Sequence, residues 1–285
     1  MAIGSTRGKR RLGRHIRPIL DRSGLKVDEV VKVSRVSRPT IVRMLSGDAL
    51  ARWPTLSMVL DVIGATPEEK TRALQLWEVA DVDPYAIEHA RDLPVNYKRF
   101  RMDELEAVRE RSLDSALISG LLQTAGYAEA VARAARRRIV GDSWDERAAA
   151  ERSQRQALLF REPPLEFHAL LDEAALRRLV GGPEVMREQL DHLVSVAARP
   201  NVTIRVLPHA VGAYGAHFGC LTLLEFPESD EPLAAYAEAL TGLVSVEDEE
   251  VEVLSAVWDD AARLALTAED SVGLIRAVRD TLGDL

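Results

Sequence analysis

The chain has 285 residues, 47% of them hydrophobic, with a formal net charge of −8 and a single cysteine, Cys220. One cysteine excludes an intrachain disulfide, no run of about 20 apolar residues offers a membrane span, and the basic N-terminus lacks the apolar region of a secretory signal, so a reducing cytoplasm is the expected setting. Charge is divided unevenly: residues 1–60 hold 13 Lys and Arg against 4 Asp and Glu, whereas the rest holds 24 against 41, so only the N-terminal part suits a polyanion such as DNA.

In chain order, Leu12, Ile16, Ile19 and Leu20 recur at helical spacing and predict a first helix ending near Ser23–Gly24. Val27, Val30 and Val31 predict a short second helix, and Ser34, Arg35 and Val36 a turn. Ser37 is a natural cap for a third helix, with Pro39 in its first turn, Ile41, Met44 and Leu45 facing inward, and Gly47 as its stop. A fourth helix is expected over roughly Thr55 to Ile63. Thr66-Pro67-Glu68-Glu69 is a capping box that opens a fifth, through about Val79.

This arrangement leaves Arg38, Thr40 and Arg43 on the outer face of the third helix, as candidate contacts to base edges. Lys9, Arg10, Arg11, Arg14, Lys26, Ser37 and Arg52 are candidate contacts to the DNA backbone. A solvated helix face is the plain alternative, and it is weakened by the coincidence of helix pattern and local positive charge.

Leu25–Gly47 resembles the helix-turn-helix of the XRE (lambda-repressor-like) regulators. Val30, Val36-Ser37-Arg38 and Thr40-Ile41-Val42-Arg43 carry the likeness. Three residues depart from the family pattern. Lys26 stands at a usually polar cap position, Val31 where a small Ala is usual, and Arg35 where a Gly is usual in the turn; a positive φ at Arg35 would be strained. The resemblance implies a five-helix DNA-binding domain over residues 1–80.

Asp81 to Asn96, with Pro84 and Pro94, is read as a connector, and residues 97–285 as a second domain. Tyr97 to Val108 carries mixed charge. Leu113 to Ala135 is read as a helical stretch ended by Arg133, Arg136, Arg137 and Arg138, and Trp144 to Phe160 as another helix. Strands are expected at Leu165–Leu171, Val202–Leu207, Cys220–Phe226 and Ala234–Ala239. Helices are expected at Asp172–Val180, Glu184–Ala198, Glu249–Leu266 and Glu269–Leu282. The expected fold is α+β, mostly α: a five-helix unit followed by a larger domain with helices packed on a small sheet.

These later segments are similar to a C-terminal domain, described as antitoxin-like, found behind XRE-type helix-turn-helix units in bacterial regulators. The likeness is carried by Gly120-Leu121-Leu122-Gln123-Thr124, Leu171–Arg178, Gly181–Leu190, Arg199–Ile204, Leu224–Pro227 and Glu238–Gly242. It implies a transcriptional regulator often encoded beside a small protein partner, with no established catalytic residue.

Other clusters invite chemistry and carry less. His168, Asp172 and Glu173 straddle a strand end and a helix start, where acidic residues are ordinary caps. His209, His217 and Cys220 fit no usual zinc spacing. Gly212, Gly215 and Gly219 flank Tyr214 without a dinucleotide fingerprint, either as a loop over a pocket or as a turn-rich connection. The acidic run Glu247-Asp248-Glu249-Glu250 with Glu252 is a solvated helix start or a dock for a basic partner.

The expectation is therefore a homodimeric, sequence-specific regulator of transcription that binds double-stranded DNA, with no metal, no cofactor and no catalytic residue. Its C-terminal domain is expected to bind a small protein partner. The alternative is a small-molecule pocket near Tyr214 and Trp258.

Overall fold

The computed structural model describes residues 7–81, 93–135, 144–217, 219–227, 232–239, 242–246 and 249–284. They divide into two compact units, Met1–Asp103 and Glu104–Leu285. The architecture is α+β and mostly α. Most of the expected connector, and Arg136, Arg137 and Arg138, lie outside the described residues.

The first unit holds α1 (Arg7–Ser23), α2 (Val27–Ser34), α3 (Arg38–Ser46), α4 (Trp53–Val62) and α5 (Pro67–Ala80). Leu12, Ile16 and Ile19 of α1 share one core with Val30, Ile41, Met44, Leu56, Leu60 and Ala73, so each helix contributes one apolar stripe. Two glycines set how closely the chain can approach itself. A Cβ on Gly13 would fall 2.5 Å from the Leu45 carbonyl oxygen, so α1 and α3 touch at that point. Gly47 ends α3 at φ 76°, and a Cβ there would meet Arg10 Cα at 2.6 Å. The capping box opens α5 as its residues predict: the Glu69 N–H donates to Thr66 Oγ1 at 3.2 Å and the Thr66 N–H to Glu69 Oε2 at 2.8 Å. Arg22 adds two hydrogen bonds of 2.7 Å to the Glu69 carboxylate, tying the end of α1 to the start of α5. These bonds hold the Glu69 carboxyl down at about 2.

Tyr97–Val108, read only as a stretch of mixed charge, holds most of α6, which spans Val95–Glu106. The stretch Leu113–Ala135, expected to be helical, divides instead into three pieces. It contains the end of strand β1 (Arg109–Asp114), a 3-10 turn at Gly120–Leu122, and α7 (Ala125–Ala135). Burial explains the miss: β1 reads Arg-Glu-Arg-Ser-Leu-Asp, a polar pattern, but it is flanked on both sides by strands that complete its ladder. The segment after β1 is fixed by side chains: the Ile118 N–H donates to the Tyr127 hydroxyl and Gln123 Nε2 to the Ile118 carbonyl, at 3.1 and 2.7 Å.

Then follow α8 (Trp144–Gln156), β2 (Glu166–Asp172), α9 (Glu173–Arg177), α10 (Pro183–Val196) and β3 (Val202–Leu207). They are succeeded by β4 (Cys220–Glu225), β5 (Ala234–Ala239), β6 (Gly242–Val246), α11 (Glu249–Leu264) and α12 (Ala268–Thr281). The expected helix from Asp172 to Val180 is cut to one short turn, α9, and strand β6 is an addition to the sequence reading. The described strands form one mixed sheet in the order β3-β2-β1-β4-β5-β6. Its β1, β2 and β3 run parallel, and β4, β5 and β6 are joined antiparallel. One face carries Leu113, Leu170, Leu221, Leu223 and Ala235, which form a core with Trp258 and Ala261 of α11 and with Ala265 just after it. By register, the opposite face sets Glu110, Ser112 and Asp114 beside Phe167, Ala169 and Leu171.

Candidate nucleic-acid interface

The first unit positions α3 through its two ends. At its start, Ser37 has extended backbone (φ −64°, ψ 144°) and its hydroxyl oxygen accepts from the Thr40 N–H at 3.3 Å, satisfying one donor of the first turn. The hydroxyls of Ser37 and Thr40 also lie 2.8 Å apart. Before it, Arg35 forms the end of α2 in the left-handed region at φ 58°, and its N–H donates to the Val31 carbonyl at 2.9 Å. The turn therefore keeps the geometry that a glycine would favour, with an arginine in its place. Ser34 secures the same turn: its hydroxyl donates to the Val30 carbonyl at 2.6 Å and accepts from the Val36 N–H at 3.2 Å.

Ile41 and Met44 are buried, and Arg38, Pro39, Val42, Arg43 and Ser46 are exposed, so one side of α3 is anchored and the other is open. Of the three predicted base contacts, Arg38 and Arg43 lie on the open side. Arg38 Nε donates to Asp28 Oδ1 at 3.0 Å, and Arg43 Nε donates to the Pro39 carbonyl at 3.2 Å. Thr40 is half-buried at the margin, held by Ser37. Val42, which the sequence reading took only as part of the motif, stands 40% exposed between the arginines. Its signal was its helical spacing, one residue from Arg43 and four from Arg38.

The expected backbone contacts fall in two groups. Lys26, Ser37 and Arg52 occupy the position just before α2, α3 and α4 respectively, where free N–H groups and the helix dipole favour an anion. Lys9, Arg10, Arg11 and Arg14 lie on α1, with Arg14 exposed and the others half-buried. Burial lowers the Lys9 ammonium from its ordinary range, and Arg10 Nη2 stands 3.7 Å from Asp103 Oδ2.

In the second unit, Tyr214 and Trp258 do come together, as members of one apolar cluster. Their polar atoms are engaged: the Tyr214 hydroxyl donates to Asp172 Oδ2 at 2.8 Å and Trp258 Nε1 to the Ser112 carbonyl at 3.1 Å. Asp172 also caps α9 through the Ala174 N–H at 2.8 Å, and Glu173 accepts from Arg177 Nε and the His209 N–H. His168 Nε2 lies 2.9 Å from Glu166 Oε1, and Cys220 Sγ 3.8 Å from Ser115 Oγ. Among the described residues no helix is long and apolar enough to cross a membrane.

Comparison with known proteins bears on both units. A family described as a domain of unknown function, DUF5753, matches residues 97–277, well over half of the chain. The chain belongs to the DUF5753 family. A helix-turn-helix domain family matches residues 11–74, which contain α2, the Arg35 turn and α3. No curated protein and no solved structure matches the chain. This DUF5753 protein thus carries a helix-turn-helix DNA-binding domain ahead of the domain that names its family, and it is a DNA-binding regulator of transcription.

Proposed function

We propose that the protein is a sequence-specific regulator that inserts α3 into the major groove, with Arg38 and Arg43 on base edges. The observation that carries this reading is the open side of α3, where two arginines flank an exposed valine on a helix anchored by Ile41 and Met44. Arginine pairs bidentately with guanine, a valine methyl suits the thymine methyl, and each good bidentate pair discriminates by about 1–3 kcal/mol. Thr40 assists from the margin. Lys26, Ser37, Arg52, Arg14, Lys9 and Arg10 contribute phosphate contacts, and these fix register but carry no sequence information.

A single module of this size buries little DNA surface. The protein therefore acts as a homodimer in the cytoplasm, with two α3 helices about one DNA turn apart. Selection of its DNA site from random sequence, followed by gel shift, tests the assignment. Arg38→Ala with Arg43→Ala removes the preference for that site over random DNA, and an unchanged preference refutes it.

The DUF5753 domain binds a small protein partner, and the complex adjusts occupancy of the DNA. Support comes from the antitoxin-like resemblance and from the acidity of this part of the chain, which disfavours a second DNA contact. The small-molecule alternative draws less support, because Tyr214 and Trp258 are core members whose polar atoms already have partners. Neither reading requires the domain to be an enzyme. Co-purification of a small protein with the full chain from native cells tests the partner reading.

A further inference from the structure

The face of the sheet opposite the Tyr214 and Trp258 cluster is divided. On β2 and β3 it is apolar, with Phe167, Ala169 and Leu171 beside Val202, Ile204 and Val206. On β1 it is a row of alternate polar residues, Glu110, Ser112 and Asp114. The polar part continues from Ser112 through Thr222 to Tyr236, and beside that pair Cys220 lies opposite Glu238. Glu110 and Ser112 are each 1% exposed, Asp114 is half-buried and Glu238 is exposed, so the row leads from the surface inward.

Buried polar groups are ordinarily paired. Among the described residues, Glu110 Oε1 and Oε2 and Asp114 Oδ2 are buried with no hydrogen-bond partner within bonding geometry. The nearby guanidiniums are engaged with other groups. Arg155 Nε and Nη2 lie 2.8 and 2.7 Å from Glu104 Oε1, whereas Nη2 is 3.9 Å from Glu110 Oε1. Arg152 Nε donates to Gln123 Oε1 at 3.1 Å.

These acceptors select their ligand. Carboxylates without donors suit a cation that carries N–H groups. A metal ion needs its donors within about 2–2.6 Å of one point, and no such group of His, Cys, Asp or Glu exists among the described residues. The acceptors are instead strung along a strand, where alternate Cα atoms lie about 7 Å apart. An extended molecule with an ammonium group at each end spans that spacing.

We propose that the row Glu110, Ser112 and Asp114 is a binding site for a small linear amine, whose ammonium groups bond the Glu110 and Asp114 carboxylates. The amine enters from the half-buried Asp114 end, past the Glu238 carboxylate. The site lies on the other face of the sheet from Tyr214 and Trp258, and it does not depend on which protein the domain binds.

The groups around the row make binding depend on pH. Glu110 is faced by Glu104 of α6, Arg155 of α8 and Asp114. Asp114 is faced by Ser112, by Glu238 of β5, by Arg155 and Arg152 of α8, by Cys220 of β4 and by Tyr127 of α7. Burial is the largest influence on both acids and favours their protonated forms, so the amine displaces protons as it binds. Binding is therefore strongest above about pH 7, the value to which Asp114 is raised, and weakens below it.

Titration of the full chain with putrescine and with cadaverine tests the site. The readouts are thermal unfolding and calorimetry in two buffers of different ionisation enthalpy. At pH 8, at about ten times its dissociation constant, at least one of the two raises the unfolding midpoint by about 2–5 °C. Binding releases protons and is about tenfold weaker at pH 6, where Asp114 falls from about nine-tenths charged to about one-tenth. Glu110→Gln and Asp114→Asn keep the shape of the side chain, and each weakens binding at least tenfold. Butanediol and magnesium chloride, at matched ionic strength, leave the midpoint unchanged.

The parent protein alone suffices to refute the site. Failure of both amines to bind, binding without proton release, or an equal response to butanediol or magnesium overturns the proposal. So does full binding by both folded variants, which would mark a diffuse attraction to an acidic surface. Nα-acetyl-lysine methylamide is expected to bind at least tenfold more weakly than the better amine. Equal binding would assign the row to a lysine side chain of a partner protein and overturn the free amine.

Discussion

Arg38 Nε and Asp28 Oδ1 stand 3.0 Å apart, so the first turn of α3 is linked to the first turn of α2 by a carboxylate on the side chain placed to read a base. Both partners are well exposed, and such pairs contribute only about 0–1 kcal/mol. In the proposed complex Arg38 exchanges Asp28 for a base, and the Asp28 charge comes near phosphates. Asp28→Asn is therefore expected to raise affinity for the selected DNA site by about two- to fivefold, the equivalent of one exposed pair. It costs the fold no more than about 1 kcal/mol, from the lost charge at the start of α2. Gel-shift titration beside thermal unfolding measures both, and a weaker complex would show that Asp28 orients Arg38 for binding.

Ser37 has two duties that can be separated. Its hydroxyl caps α3, and the proposed DNA complex places it at a phosphate. Ser37→Ala should lower stability by about 1 kcal/mol, the usual cost of losing such a cap. Ser37→Asp keeps a capping oxygen and suits the helix dipole, so it should restore most of that loss. Its charge repels the DNA backbone, so binding should fall below that of Ser37→Ala. The two variants thus rank in opposite order by thermal unfolding and by gel shift. The same order in both assays would mean that Ser37 is remote from the phosphates.

Arg35 is the described non-glycine residue with positive φ, at 58°. The left-handed conformation costs an ordinary residue about 1–2 kcal/mol, whereas glycine pays about 0.5–1 kcal/mol in unfolded-state entropy. Arg35→Gly should therefore stabilise the first unit by up to about 1 kcal/mol, and Arg35→Val, β-branched and strained there, should destabilise it. Chemical denaturation of the two variants against the parent gives the sign. A destabilised Arg35→Gly would mean that the arginine side chain contributes more than the strain it costs.

The first unit was legible because its signals are local. Ser37, Pro39 and Gly47 bound α3, and Thr66 with Glu69 opens α5, each within four residues. The strand β1 was illegible because its stability is not local: Glu110 and Ser112 are buried only once β2, β4 and α8 surround them. For the same reason α6 was missed, since Glu104 has a reason to be buried only when Arg155, some 50 residues later, reaches it at 2.7 Å. At the interface, helical spacing placed Arg38 and Arg43 but not Thr40, whose hydroxyl lies within hydrogen-bond reach of the adjacent Ser37 hydroxyl. Tyr214, flanked by Gly212, Gly215 and Gly219, and Trp258 were expected near a small-molecule pocket, and the structure places both in one cluster, as core side chains.

The polar row of β1 makes stability depend on pH in a direction opposite to most carboxylates. Glu110 is buried beside Glu104, and the Arg155 guanidinium that faces both is closer to Glu104, at 2.7 Å, than to Glu110, at 3.9 Å. Among the described residues neither Glu110 oxygen has a hydrogen-bond partner within bonding geometry. Burial and then the Glu104 charge push the Glu110 carboxyl well above its ordinary range, and burial raises Asp114 from 3.8 to about 7. A raised carboxyl holds its proton in the folded state after the unfolded chain has released it, so stability is complete at low pH and is lost as pH rises through the folded value. For Asp114 that window runs from about pH 4 to about 7, with at most about 4 kcal/mol at stake. Glu110→Gln and Asp114→Asn remove the proton from the account while keeping the shape. Each should match the parent near pH 4 and exceed it at pH 8 in guanidinium unfolding. A variant that is less stable than the parent at pH 8 would mean that the charged carboxylate is held there by a cation or donor it needs.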